Sequence, residues 1–266
     1  MPRPDPAAPA PIDLPSAPGK GGMGPRSAWL HLLLVPLALA LLAAFVQHSE
    51  VDVAVSRLFF DPASRLFLGS RSGLFNLLGH DGARALPVAI GLLAVGIAIG
   101  SAFRPSLRPW RWIALAVAAA LLLTPVVISL LKSNTAAHCP HTVDVFGGAV
   151  DYRVERDGPF WAPPAADAGR CLPSAHAGAG YGLLSLYFAG WAAGIRRWRW
   201  LGLCLGVAAG LIFSAVRISQ GSHFLSQTLW SAAVAWTIAA VVFAPLLWRG
   251  RTRSGYGRGA SPVDAV

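Results

Sequence analysis

An all-α, polytopic membrane bundle is predicted by three observations: a composition too apolar for a soluble domain, six apolar runs of membrane-spanning length, and an excess of basic over acidic residues in alternate connections. The chain has 266 residues, 55% of them hydrophobic and 13% charged, with mean hydropathy +0.54. A soluble domain of this length carries about a quarter charged residues. Crossing a hydrocarbon core of about 30 Å takes about 20 apolar residues in a helix. Runs of that kind lie at Ala28–Val46, Ala85–Ala102, Trp112–Leu131, Pro173–Ala193, Leu201–Val216 and Phe224–Trp248.

The first 27 residues are rich in Pro, Ala and Gly without an apolar period, and a disordered tail is expected there. Ala38-Leu39-Ala40 mimics a signal-peptide cleavage site, but the apolar run continues to Val46, so an uncleaved first span is expected. The membrane domain is expected over 28–248 and a basic tail over 249–266.

A formal charge of +10 raises the question of nucleic acid, and the placement of the charge answers it. Basic residues fall in the N-terminal tail (Arg3, Lys20, Arg26) and after the second span (Arg104, Arg108, Arg111). They recur after the fourth (Arg196, Arg197, Arg199) and the sixth (Arg249, Arg251, Arg253, Arg258). The positive-inside rule then puts both termini in the cytoplasm. The basic excess is a topology signal, and no nucleic-acid partner is expected.

With that orientation, the outward connections are about 48–84, the long loop of about 132–175, and the turn 217–223. His48, His80, His138, His141, His176 and His223 lie on this side, and His31 lies in the first span. Val150, Tyr152 and Val154 alternate with polar residues before Asp157-Gly158, a hairpin signal. Cys139 and Cys171 share the long loop, whereas Cys204 falls inside the fifth span. In an oxidising compartment the pair can form a disulfide; two free thiols, or Cys139 as a metal ligand, remain open. Gly178-x3-Gly182 and Gly96-x3-Gly100 read as helix-packing faces.

Three motifs share the outward face: Lys132 to Pro140 (KSNTAAHCP), Cys171 to Gly178 (CLPSAHAG) and Ser214 to Gln227 (SAVRISQGSHFLSQ). Together they supply the parts for handling phosphate. Cations and helix N-terminal amides bind its oxygens, one imidazole can attack phosphorus, and another can protonate the departing oxygen.

The order and spacing resemble the type 2 phosphatidic acid phosphatase superfamily, whose pattern is Lys-x6-Arg-Pro, then Pro-Ser-Gly-His, then Ser-Arg-x5-His-x3-Asp. The matches are Lys132-x6-Cys139-Pro140, Pro173-Ser174-Ala175-His176 and Arg217-x5-His223-x3-Gln227. The resemblance covers about 28–248. It implies a metal-independent enzyme without a cofactor, in which Lys132, Ser174, Ala175 and Arg217 form the phosphate cradle. His223 would be the nucleophile and His176 the general acid. The implied substrate is a lipid phosphate monoester or diphosphate at the periplasmic or exterior face of a bacterial inner membrane. Phosphatidic acid, phosphatidylglycerophosphate, an undecaprenyl phosphate carrier and lipid A all fit, and transfer of phosphate to a second lipid uses the same intermediate.

Three departures stand out. Cys139 replaces the motif arginine, as in bacterial members that carry His-Cys-Pro there; Ala175 replaces the glycine; Gln227 replaces the aspartate. Gln227 can still accept a proton from an imidazole but cannot neutralise an imidazolium. His138 is a candidate to replace part of the lost charge, and Asp144 a candidate to orient His223. Two other readings remain: a catalytically silent, phospholipid-binding member of the same fold, and an outward metal site built from His138, Cys139, His141, Asp144 and His80-Asp81.

Overall fold

The computed structural model describes residues 22–71, 73, 83–157 and 169–256, and these are mostly helical. Among them, five helices are long and apolar enough to cross a membrane: Pro25–Gln47, Ala85–Phe103, Pro105–Lys132, Arg196–Ser219 and Leu225–Arg249. The protein is therefore a multi-pass membrane protein.

We label the helices α1 (Pro25–Gln47), α2 (Val51–Arg57), α3 (Ala83–Phe103), α4 (Arg111–Lys132), α5 (Tyr152–Asp157), α6 (Ala175–Gly182), α7 (Ser185–Ala192), α8 (Arg196–Ser219) and α9 (Leu225–Tyr256). The expected fourth span is not one helix. It is the pair α6 and α7, eight residues each, interrupted at Leu183–Leu184. The glycines beneath it account for how close α8 comes. A methyl group added at Gly206 would stand 2.6 Å from the Leu184 nitrogen, and one at Gly210 would stand 2.1 Å from the Tyr181 ring. Between helices in lipid, association depends on such close approach, because burying apolar surface gains nothing over lipid tails.

The packing is inverted relative to a soluble protein. Phe45, Leu92 and Leu122 are about two-thirds exposed, as suits surfaces solvated by lipid. Small residues and aromatics fill the centre, with Ala235, Ala239 and Ala240 of α9 packed with Phe188, Trp191, Trp236 and Phe243. His31 lies in this cluster. Its Nδ1 bonds the Ser27 carbonyl at 2.8 Å and its Nε2 the Tyr187 hydroxyl at 2.9 Å.

Several expectations are corrected here. The chain is ordered before residue 28: Met23 is buried, its N–H donates to the Leu247 carbonyl at 3.0 Å, and α1 begins at Pro25. Residues 1–21 of the expected tail lie outside the described residues, as do 257–266, while α9 runs on to Tyr256. The hairpin signal at 150–154 fails. Val150 makes only an isolated bridge to Val143, and Tyr152–Asp157 is helical. Side-chain capping decides this: Asp144 Oδ1 accepts the Tyr152 N–H and Asp151 Oδ1 the Arg153 N–H, as helix N-termini require. A two-stranded hairpin forms instead from Phe60–Asp61 and Leu66–Phe67. Gly178 and Gly182 do face α4, at Ile128 and at Leu121 and Thr124; of the other pair, Gly100 meets the Leu107 side chain but Gly96 meets nothing within 4 Å among the described residues.

At the end of the bundle that carries the three motifs, Val53, Phe67, Val143, Phe146, Tyr152 and Phe224 form a second apolar cluster. It joins the 48–71 segment, the long loop and the approach to α9 in one unit, and so carries His223, just before Phe224, and Gln227 in the first turn of α9.

Gly206→Ala is expected to lower stability by about 1–3 kcal/mol through overpacking, whereas Gly96→Ala is expected to be neutral or stabilising. Thermal denaturation of the two variants in detergent micelles measures the difference.

Candidate active site

Gly221 has φ +65°, and a methyl group there would strike the Phe67 ring, so glycine lets the chain reverse tightly between α8 and α9. The Gly221 carbonyl accepts from both the backbone N–H of His141 at 3.1 Å and its Nδ1 at 2.9 Å. The long loop is thus pinned against the turn that delivers His223.

His223 is buried, and its Nδ1 meets two acceptors, the Cys171 carbonyl at 2.9 Å and Gln227 Oε1 at 3.2 Å. Two oxygens without protons can only be satisfied by an Nδ1–H. The ring is therefore the Nδ1–H tautomer, and its Nε2 carries the lone pair. Burial pushes the His223 pKa down to about 3, with the nearby charges of Lys132 and Arg217 adding to the effect and the bonds to Gln227 and Cys171 opposing it. The imidazole is neutral at physiological pH, the state a nitrogen nucleophile needs.

Gln227 is locked. Its Oε1 also accepts the Phe224 N–H at 3.1 Å, and its Nε2 donates to the His138 carbonyl at 2.7 Å. An aspartate is one methylene shorter and has no donor for that carbonyl, so the amide suits this site in a way the motif carboxylate would not. The structure ties His138 to the site through its backbone oxygen. Asp144 does not orient His223: its Oδ1 accepts the N–H groups of Val145 and Tyr152. It is spent on local turns, and this corrects the expectation for it.

Lys132 ends α4 and Arg217 lies in the last turn of α8, positions that favour cations beside carbonyl-rich helix ends. Both act electrostatically on His223, and they repel each other. Among the described residues neither is paired with a carboxylate. Arg217 donates from Nη1 to Gln220 Oε1 at 2.8 Å, while its Nε is buried without a partner.

Ser174 is the N-cap of α6. Its Oγ accepts the Ala177 N–H at 3.4 Å, its own N–H donates to the Gln227 carbonyl at 3.2 Å, and its carbonyl accepts from Ser231 Oγ at 2.9 Å. These bonds hold the start of α6 against the start of α9. α6 thus opens at the motif, and a helix N-terminus favours an anion beside it. Ala175 has helical geometry, so its extra methyl costs no backbone strain.

Cys139 and Cys171 form a disulfide, with Cα atoms 5.5 Å apart, and Cys204 is a free thiol. The sulfur that the metal-site reading needs is therefore used, and His141 Nδ1 is engaged with Gly221. Among the described residues, no group of three or more His, Cys, Asp or Glu is placed to hold a metal ion; His80-Asp81 lies outside them.

Sequence reasoning missed Asp52. This buried carboxylate accepts the Ser226 N–H at 2.8 Å and the Ser226 hydroxyl at 2.5 Å. It caps the N-terminus of α9 from 174 residues away in sequence. An acid within VDVAV, an apolar stretch, was the one signal for it. Thr135 was missed as well; its hydroxyl donates to the Leu172 carbonyl at 2.7 Å and ties the end of α4 to the approach to α6.

A helical multi-pass membrane protein with a neutral, buried histidine beside two cations that no carboxylate among the described residues pairs defines the class. The chain belongs to the PAP2 superfamily, whose family model matches residues 113–251, a stretch that contains all three motifs. No curated protein and no solved structure matches the chain.

The depressed pKa has a thermodynamic consequence. Unfolding raises it towards the ordinary 6.5, so between about 3 and 6.5 the unfolded chain binds a proton that the folded chain does not. Stability from this site is expected to be complete above pH 6.5 and to fall as pH drops, by up to about 1.4 kcal/mol per pH unit. Denaturation midpoints from pH 4 to 8 should show that slope, and His223→Gln should flatten it.

Proposed function

We propose that the protein is a membrane phosphatase that hydrolyses a lipid phosphate monoester or diphosphate through a phosphohistidine on His223. The observation that carries this reading is the tautomer: Nδ1 is committed to two acceptors, leaving Nε2 as a neutral nucleophile beside Lys132 and Arg217. Members of the PAP2 superfamily are generally phosphatases, and that is the activity the site supports here.

In the first step Nε2 attacks phosphorus, the bond from phosphorus to the leaving oxygen breaks, and His176 donates a proton to that oxygen. Lys132, Arg217 with its buried Nε, the Ser174 hydroxyl and the first amides of α6 bind the equatorial oxygens, whose charge grows in the transition state. Water then attacks phosphorus, His176 takes its proton, the phosphorus–nitrogen bond breaks, and inorganic phosphate leaves. None of these steps calls on a metal or cofactor. Gln227 and the Cys171 carbonyl keep the Nδ1 proton in place throughout.

The reading places the site on the periplasmic face of a bacterial inner membrane with both termini in the cytoplasm. Support comes from the arginine distribution and from the disulfide, which suits an oxidising compartment. The pair α6 and α7 would then complete a sixth crossing, their two eight-residue segments rising together about 25 Å. A helix broken inside a bundle is tolerated where neighbouring protein satisfies its backbone.

His223→Ala is expected to abolish inorganic phosphate release from a panel of phosphatidic acid, phosphatidylglycerophosphate, undecaprenyl diphosphate and lipid A; undiminished release would overturn the mechanism. His176→Ala should slow dioctanoyl phosphatidic acid by roughly 10²- to 10⁴-fold and p-nitrophenyl phosphate by less, since nitrophenolate leaves without protonation. Reporter fusions after Arg108 and Arg197 should read cytoplasm and one near Asp157 the exterior; an inverted pattern would move the site to the wrong face.

A further inference from the structure

Of the two groups that hold the His223 proton, one belongs to a strand of chain that the disulfide joins and the other is anchored to its partner strand. Cys171 offers its own carbonyl to Nδ1. Gln227, the second acceptor, is held by the carbonyl of His138, the residue before Cys139. The Cys171 N–H donates to the Ala137 carbonyl at 2.8 Å, a backbone bond between the two strands. A bridge across a sequence separation of 32 residues thus fixes one orienting carbonyl against the other. Cys139 also occupies the motif position where the PAP2 pattern described above carries arginine.

We propose that the Cys139–Cys171 disulfide positions the nucleophile: it holds the Cys171 and His138 carbonyls in register, so that the His223 proton stays on Nδ1 and Nε2 faces the phosphate. In this chain a covalent clamp on the histidine stands where a phosphate-binding cation would otherwise be. The inference rests on the reading of His223 as the nucleophile. The two cysteines are positioning residues, acting through Gln227 and the backbone without touching substrate. Displacing a reacting atom by about 1 Å can cost roughly 10²-fold in rate, so a modest relaxation of the frame is enough to matter.

The test compares the full-length protein in detergent micelles in three forms: oxidised, reduced with a water-soluble phosphine, and carrying Cys139→Ser with Cys171→Ser. The phosphine becomes its oxide, taking oxygen from water as the disulfide becomes two thiols. Two readouts are needed. Nitrogen-15 spectra of labelled histidine, with His223 assigned through His223→Gln, report its tautomer without reference to activity. Exchange of oxygen-18 from labelled inorganic phosphate into water reports phosphohistidine formation without a choice of lipid. The oxidised protein is expected to show the Nδ1–H tautomer alone. The reduced protein and the double variant are expected to show a mixture of tautomers and exchange slowed by roughly 10²-fold, with helical content retained. An unchanged tautomer and exchange rate after reduction would overturn the proposal. Collapse of the helical fold on reduction would overturn it too, because the bridge would then support the bundle and not the histidine. A tautomer that responds to reduction, with no exchange in any form, would support the clamp and overturn the phosphohistidine reading.

Discussion

The site depends on one proton held at one nitrogen. An imidazole can place its proton on either ring nitrogen, and only one choice leaves the lone pair on Nε2. Here the choice is made by two oxygen acceptors, the Cys171 carbonyl and Gln227 Oε1, which meet Nδ1 from different parts of the chain. A carboxylate would do the same and also stabilise the cation formed on attack. The neutral pair performs the orienting task alone, and the low pKa of the resting ring follows from burial beside two cations.

Those two cations pose the second constraint. Lys132 and Arg217 stand close enough to repel, at helix ends next to apolar runs, where ionisable groups are costly. Carbonyl-rich helix termini offset part of the cost. An anion with several oxygens would offset more, since it could meet Lys132 and the buried Nε of Arg217 together. The cost of holding two cations together and the attraction of the site for an anion have the same cause.

The rest of the fold delivers these groups to a common point. α6 starts at Ser174, which is bonded to Gln227 and Ser231 of α9. α9 in turn is capped by Asp52, and Phe224 anchors its beginning in an apolar cluster contributed by three separate segments. The glycines of α8 let it approach the broken pair α6 and α7 at backbone distance. Loosening any of these contacts would move His223 relative to the two cations.

The sequence by itself determined the membrane class, five of the spans to within a few residues, and which side chains gather at one end. Hydropathy and charge act locally or by simple counting, so they survive in a linear string. Tertiary structure decided the rest. The expected fourth span became two helices because glycine-lined packing against α8, invisible to hydropathy, governs the backbone there. Asp144 was a candidate support for His223 as an acid in the outward loop, yet nearby amides claimed it. The groups that do support the ring include a backbone carbonyl, and every residue has one of those. No residue type marks Cys171 as the acceptor, nor His138 as the anchor for Gln227; only the folding of residues 137–139 and 171 against α9 brings those oxygens within hydrogen-bond reach.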